Sequence, residues 1–295
     1  MEDYEEQLIK KYMDNNGNKL PPKLFHYTTQ DGLLGILDRA KILATDILYL
    51  NDSTEFIHSV DLMKKNEIPR IVKKISNEQV KKVVKLLLDP SKVLSEFQIF
   101  VCSFSTDGES LSQFRSYCPD NNGFSIGFDH TELRNRVNSQ DFKTFYLLPC
   151  FYQKDEKNGM IQELSREVRI GIASYLETNK DDYLDKTIDE YNRKFLLLAS
   201  ILKHESFRDE KEWRLFCFKK HPVAPSEIQF RKGKSMVLPY ITIELQGTAK
   251  FSPIRQIYVG PTPHKDLSMK SVKLLVQSKQ LSCSVDDSKI PYRAW

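Results

Sequence analysis

At 295 residues, with 40% apolar and 28% charged side chains, the chain can build a large core and lacks the bias of a disordered or fibrous polymer. A formal net charge of +4, from 44 basic and 40 acidic residues, sets up no strong field, so composition neither demands nor excludes a nucleic-acid partner. Five scattered cysteines without metal or redox spacing, a start without a signal-peptide core and no apolar run long enough for a bilayer predict a soluble cytoplasmic protein with no membrane association.

Residues 2–14 read as a helix with Tyr4, Leu8, Ile9 and Tyr12 inward, stopped by Asn15-Asn16-Gly17-Asn18. After Pro21-Pro22 the segment Lys23 to Thr28 reads as a strand. Alternation puts Leu24, His26 and Thr28 on one face and Phe25 and Tyr27 on the other. A short helix with Gly32, Leu33, Ile36 and Leu37 on its apolar stripe follows, capped by Thr29 or Asp31. Ile47 to Leu50 reads as a second extended piece running into the Asn51-Asp52 turn, where Asp52 and Glu55 have capping-box spacing. Helical pattern then runs to about Leu88, broken near Ile68-Pro69 and Ser76-Asn77, with Lys81, Lys82 and Lys85 on its wet face.

The segment 98–105 is a strand with Cys102 and Phe104 on one face and Ser103 and Ser105 on the other. A Thr-Asp-Gly turn, a short helix carrying Phe114, Arg115 and Tyr117, and an Asn-Asn-Gly turn lead to the strand FSIGFD, a hairpin-like unit. Another strand is expected at 143–153, then a charged loop from Lys154 to Gly159. From about 160 to 204 the period is helical, which predicts a two-helix insertion covering part of the sheet. Strands at 211–218, 240–245 and 256–260, a helix opening at Gly260-Pro261-Thr262-Pro263 and a strand near Cys283 complete the chain. The fold expected is a single α+β domain over 1–295, with a mixed, largely antiparallel split sheet, helices around it and the helical insertion.

Three strands carry polar pairs two residues apart: His26 and Thr28, Ser103 and Ser105, Glu212 and Arg214. Between them stand the aromatics Tyr27, Phe104 and Trp213, so each strand has a polar and a bulky apolar face. Converging polar faces would line a cleft, because a buried acid, guanidinium and imidazole need partners or a ligand. The plain alternative is an antiparallel sheet with one wet face, and for His26 alone a half-buried ring bonded to a backbone carbonyl. No Walker loop, Rossmann fingerprint, zinc helix or nucleophile elbow is present, and six scattered histidines set up no metal centre.

The motifs LFHYTTQDGLLGIL, DILYLNDSTEF, VCSFS, LSQFRSY, GFSIGFD, DEKEWRLF and IYVGPTPH resemble, in order, the bacterial domain-of-unknown-function 2971 family from about residue 23 to 293. In the W-S-H-Y-like segment of that family, Phe114 and Ser116 stand here in place of Trp and His. More remotely, the layout is similar to the ADP-ribosyltransferase superfamily, with His26, Ser103 to Ser105 and Glu212 at its first-, middle- and late-strand positions. That resemblance implies an NAD-consuming transferase or glycohydrolase, a toxin or anti-phage effector, with NAD as substrate and a protein or nucleic-acid acceptor. It implies Glu212 on a ribose hydroxyl and His26, with Thr28, on the adenosine ribose. Tyr27, Tyr49 or Tyr117 would stack on nicotinamide, Arg115 or Arg214 would neutralise the pyrophosphate, and Asn51, Ser103 and Ser105 would complete the cleft. The alternative is a non-catalytic nucleotide- or nucleic-acid-binding sensor using the same cleft. A third reading is nucleic-acid binding through the Lys73 to Lys85 helix.

Overall fold

A computed structural model describes residues 2–50, 60–61, 63–118, 123–138, 145–178, 180–233, 235–245 and 252–290. Among these, α1 (Glu2–Asn15) buries Tyr4, Leu8 and Ile9 as its spacing predicts. Tyr12 meets Trp213 edge-on, with ring centroids 5.1 Å apart. The chain then runs β1 (Lys23–Thr28), α2 (Gln30–Arg39) and β2 (Lys41–Asp46). Thr29 caps α2 by accepting a hydrogen bond from the Gly32 amide at 3.3 Å.

Ile47 to Tyr49 is a 3-10 turn and not the extended piece expected, because Asp46 accepts from the Leu48 amide at 2.9 Å and bends the chain. Asn51, Asp52 and Glu55, with the capping box read there, lie outside the described residues. A π-helical turn at Met63–Glu67 precedes α3 (Ile68–Val72), α4 (Glu78–Leu87) and α5 (Pro90–Glu96).

The second half of the sheet is threaded through β3 (Phe97–Ser105), α6 (Leu111–Tyr117), β4 (Phe124–Asp129), α7 (His130–Asn138) and β5 (Phe145–Pro149). The helical pair follows as α8 (Lys154–Thr178) and α9 (Asp181–Ile201). The segment Lys154 to Gly159 is therefore the first turn of α8 and not a loop; Asp155 and Glu156 there suit the positive end of the helix dipole. Then come β6 (Glu212–Lys220), β7 (Gln229–Lys232), β8 (Val237–Glu244), β9 (Ile254–Val259), α10 (Lys265–Ser278) and β10 (Ser284–Asp287).

These strands form one open, mostly antiparallel sheet; only β9 and β10 run parallel. β3 is its pivot. One edge of β3 pairs with β6 over its whole length, from Phe97 opposite Lys220 to Ser105 opposite Glu212. The other edge is shared: β1 meets it at Phe25 opposite Ser105, and β2 meets it at Thr45 opposite Val101 and Asp46 opposite Phe100. Between those two attachments the sheet is split. The expected β3–β4 hairpin does not form, because β1 stands between the two strands and pairs with β4 along all six of its residues.

Helices pack on both faces. α2, α7 and α10 cover one core with Phe100, Cys102, Phe104, Trp213 and Leu215. The longer pair α8 and α9, with α1, α3, α4 and α5, covers a second core with Val101, Tyr146, Leu148 and Phe216. A small third cluster, Phe25, Tyr27, Phe114 and Cys118, seats α6 on β1. No described helix is long and apolar enough to cross a membrane.

Candidate functional site

Residues directly opposite one another in a ladder share a face. Phe25, Ser105 and Glu212 form one such row, and Ser103, Arg214 and Leu148 a second. Two of the three polar pairs therefore share a face, as the periodicity predicts. The third does not: Phe25 and Tyr27 occupy that face, and His26 and Thr28 belong to the other. The split nonetheless brings His26 back to the same place. Beyond Phe25, β1 leaves β3, and the Ser103 carbonyl takes a hydrogen bond from His26 Nδ1 at 2.9 Å in place of a ladder bond.

At this departure point lies a hollow of about 340 Å3, solvent space at its mouth included. Its lining brings Phe25, Tyr27, Phe104 and Tyr117 together with His26, Ser103, Gln113, Glu210 and Glu212.

The Ser103 carbonyl can only accept, so His26 carries its proton on Nδ1 and presents Nε2 as an acceptor. Burial lowers the pKa of this ring; the bond to Ser103 works against that and the charge of Arg231 adds to it. His26 is thus neutral near pH 7, and among the described residues nothing donates to Nε2. A sugar hydroxyl is a fitting donor.

Glu212, only 5% exposed, sits in a network of two acids and two bases. Arg214 Nε donates to its Oε1 at 2.9 Å and Lys203 Nζ to its Oε2 at 2.8 Å, while Lys203 also pairs with Glu210. Arg214 is fastened further by donating to the Ser200 carbonyl at 2.9 Å. Burial alone pushes the Glu212 carboxyl up, but Arg214 and Lys203 outweigh it and hold the pKa at about 2. A depressed pKa stabilises the fold at pH values above the unfolded value of 4.5, and that stability is lost as pH falls towards about 2. Acid titration of folding stability should show this loss in the parent and lack it in Glu212→Gln.

The two-helix segment does more than cover the sheet. Ser200 and Lys203 stand at the end of α9 and just beyond it, and Lys157 of α8 donates to the Lys203 carbonyl at 2.7 Å. Lys203 was not foreseen, since a cation ending an apolar run carries no periodic mark of burial. Glu210 was missed as well; it lies in a 3-10 turn two residues before Glu212, and spacing from that strand could have found it. Gln113 was likewise unmarked, its neighbour Phe114 being the residue that packs inward.

Several expected ligand residues are otherwise engaged or lie elsewhere, and Tyr27 lines the hollow with its hydroxyl turned to another task. The Tyr27 hydroxyl donates to the Asp107 carbonyl at 2.7 Å and accepts from the Ser110 amide at 2.8 Å, so it braces the turn before α6. Ser105 donates to the Glu210 carbonyl at 2.7 Å and is buried outside the hollow. Thr28, Tyr49, Arg115 and Arg214 do not line it either, and Asn51 lies outside the described residues. On α4, Lys81 pairs with Glu78 while Lys82 and Lys85 are exposed, and none of the three reaches the hollow. Among the described residues, no group of three His, Cys, Asp or Glu side chains is placed to hold a metal ion.

A family model described as "Protein of unknown function (DUF2971)" matches residues 113–215. This supports the DUF2971 family. The DUF2971 match contains Gln113, Tyr117, Lys203, Glu210 and Glu212, while His26 and Ser103 precede it. No curated protein and no solved structure matches the chain.

Proposed function

We propose that this hollow receives a ribonucleotide and that the chain consumes NAD, by ADP-ribosyl transfer or by hydrolysis. The observation that carries this reading is the meeting of an ionised acid, a neutral imidazole acceptor and aromatic rings at the split between β1 and β3. The split sheet itself suits an ADP-ribosyltransferase-like fold, and such an activity would serve a toxin or an anti-phage effector.

In this chemistry the bond between nicotinamide and ribose breaks with both electrons leaving on the ring, which departs neutral. The ribose carbon is left oxocarbenium-like. Water or an acceptor hydroxyl then adds to it and gives up a proton to solvent. A carboxylate bonded to a ribose hydroxyl stabilises the developing positive charge. Glu212 remains ionised across the physiological range and, with about four lone-pair sites on its two oxygens, can accept from the sugar as well as from Lys203 and Arg214. His26 Nε2 accepts from a second hydroxyl.

A second reading, a nucleotide-binding module without turnover, is favoured by the same cations, which offset the charge of Glu212. One experiment separates the two. The protein is incubated with NAD, free nicotinamide is followed by chromatography, and thermal stabilisation by NAD is measured alongside. Release identifies the enzyme; stabilisation without release identifies the module. Neither effect would sink both.

A further inference from the structure

Gln113 is 6% exposed, lines the hollow, and its side-chain amide has no hydrogen-bond partner among the described residues. Its backbone is fixed by the Ser110 cap of α6, whose hydroxyl accepts from the Gln113 amide N–H at 3.5 Å. The next residue, Phe114, packs edge-on against Tyr27 at 4.9 Å, so the helix turn carrying Gln113 is seated on β1. The Gln113 amide is not among the polar groups sealed from solvent without a partner, so it is open to a molecule that enters the hollow. Around it the lining is aromatic, with Tyr117 38% exposed on the same helix and Phe25 and Phe104 from the strands. Aromatic walls favour a flat ring. An amide at the edge of such a slot presents an N–H donor and a C=O acceptor side by side.

We propose that Gln113 reads the edge of a planar ring in this hollow, pairing its amide with an adjacent acceptor and donor on the ligand. The carboxamide of nicotinamide offers that pair, and so do N7 and N6 of adenine. The assignment rests on the nucleotide reading above and names the specificity residue of that site. Gln113 itself takes no part in bond breaking.

Three probes test it by calorimetric titration: NAD, its analogue with nicotinic acid in place of nicotinamide, and its analogue with hypoxanthine in place of adenine. The parent protein should lose at least about tenfold in affinity for one analogue, since a site built to hydrogen-bond a group rejects ligands lacking it. Loss with nicotinic acid places nicotinamide in the hollow, and loss with hypoxanthine places adenine there. Gln113→Leu, close in size, should bind all three probes weakly and alike. Equal affinities for the three probes in the parent would overturn the role of Gln113 and leave the nucleotide site standing. Discrimination that survives in Gln113→Leu would do the same. Failure of the parent to bind any probe would overturn the site itself.

Discussion

Replacing Lys203 with methionine should lower the free energy of unfolding by about 3–5 kcal/mol, as removal of one member of a buried ion pair does. The substitution keeps the aliphatic stem, including its place over the Phe207 ring, where Lys203 Nζ lies 4.8 Å from the centroid. What changes is the charge balance. Glu210 and Glu212 would both lose this cation, in a region where Lys203 and Glu212 are only 2% and 5% exposed. Denaturant titration of the parent and variant measures the difference. Adding Glu212→Leu to Lys203→Met should recover part of the loss, because the orphaned acid disappears while Arg214 keeps its bond to the Ser200 carbonyl. A loss below about 1 kcal/mol in the single variant, the range of exposed pairs, would mean that water reaches the network.

The second large effect is on rate. Glu212→Gln should slow nicotinamide release by about 10²–10³-fold, the typical consequence of removing one group that stabilises transition-state charge. NAD affinity should change far less, since the amide still fills the space and still accepts a hydrogen bond. Losing the negative charge also takes one counter-charge from Lys203 and Arg214, so the variant's fold is checked by circular dichroism at the assay temperature. Glu210→Gln is the companion measurement: its side chain, at 19% exposed, is less buried than that of Glu212, so its cost to the fold is smaller. Turnover unchanged in Glu212→Gln would remove that residue from the mechanism.

Much of the secondary structure was legible because it rests on local periodicity. β1, β3, β6 and the long helical pair show clean alternation or helical stripes; the strand bounds follow the pattern closely, while α8 begins at Lys154, ahead of its stripe. Two of the elements that were missed lack such a stripe. β7 reads Gln-Phe-Arg-Lys and is exposed along its whole length, and α7 is a polar run that buries Leu133. Apolar Ile47 to Leu50 looked extended, but a single carboxylate from Asp46 turned it.

For the site, periodicity told which side chains share a face within one strand and could not tell how strands register. That Phe25 stands opposite Ser105 decides that Tyr27, and not His26, shares a face with Ser103 and Glu212. The meeting of His26 with the acid depends on where β1 departs from β3, a property of pairing between distant segments. Lys203 and Gln113 are set by tertiary burial and have no sequence mark.

The way the strands find each other bears on how the molecule can be cut. Lys41 lies opposite Glu244, Phe25 opposite Gly127 and Phe97 opposite Lys220. Every long ladder thus joins stretches far apart in the chain, so no early fragment can complete its own backbone bonding. The piece at 113–215 that the family model matches holds β4 and β5 and part of β6, yet among the described residues the partners of β4 are β1 and β9, and β6 needs β3. Excised, it would expose open strand edges that invite self-association, and functional dissection of this protein is best done by point substitution in the intact chain.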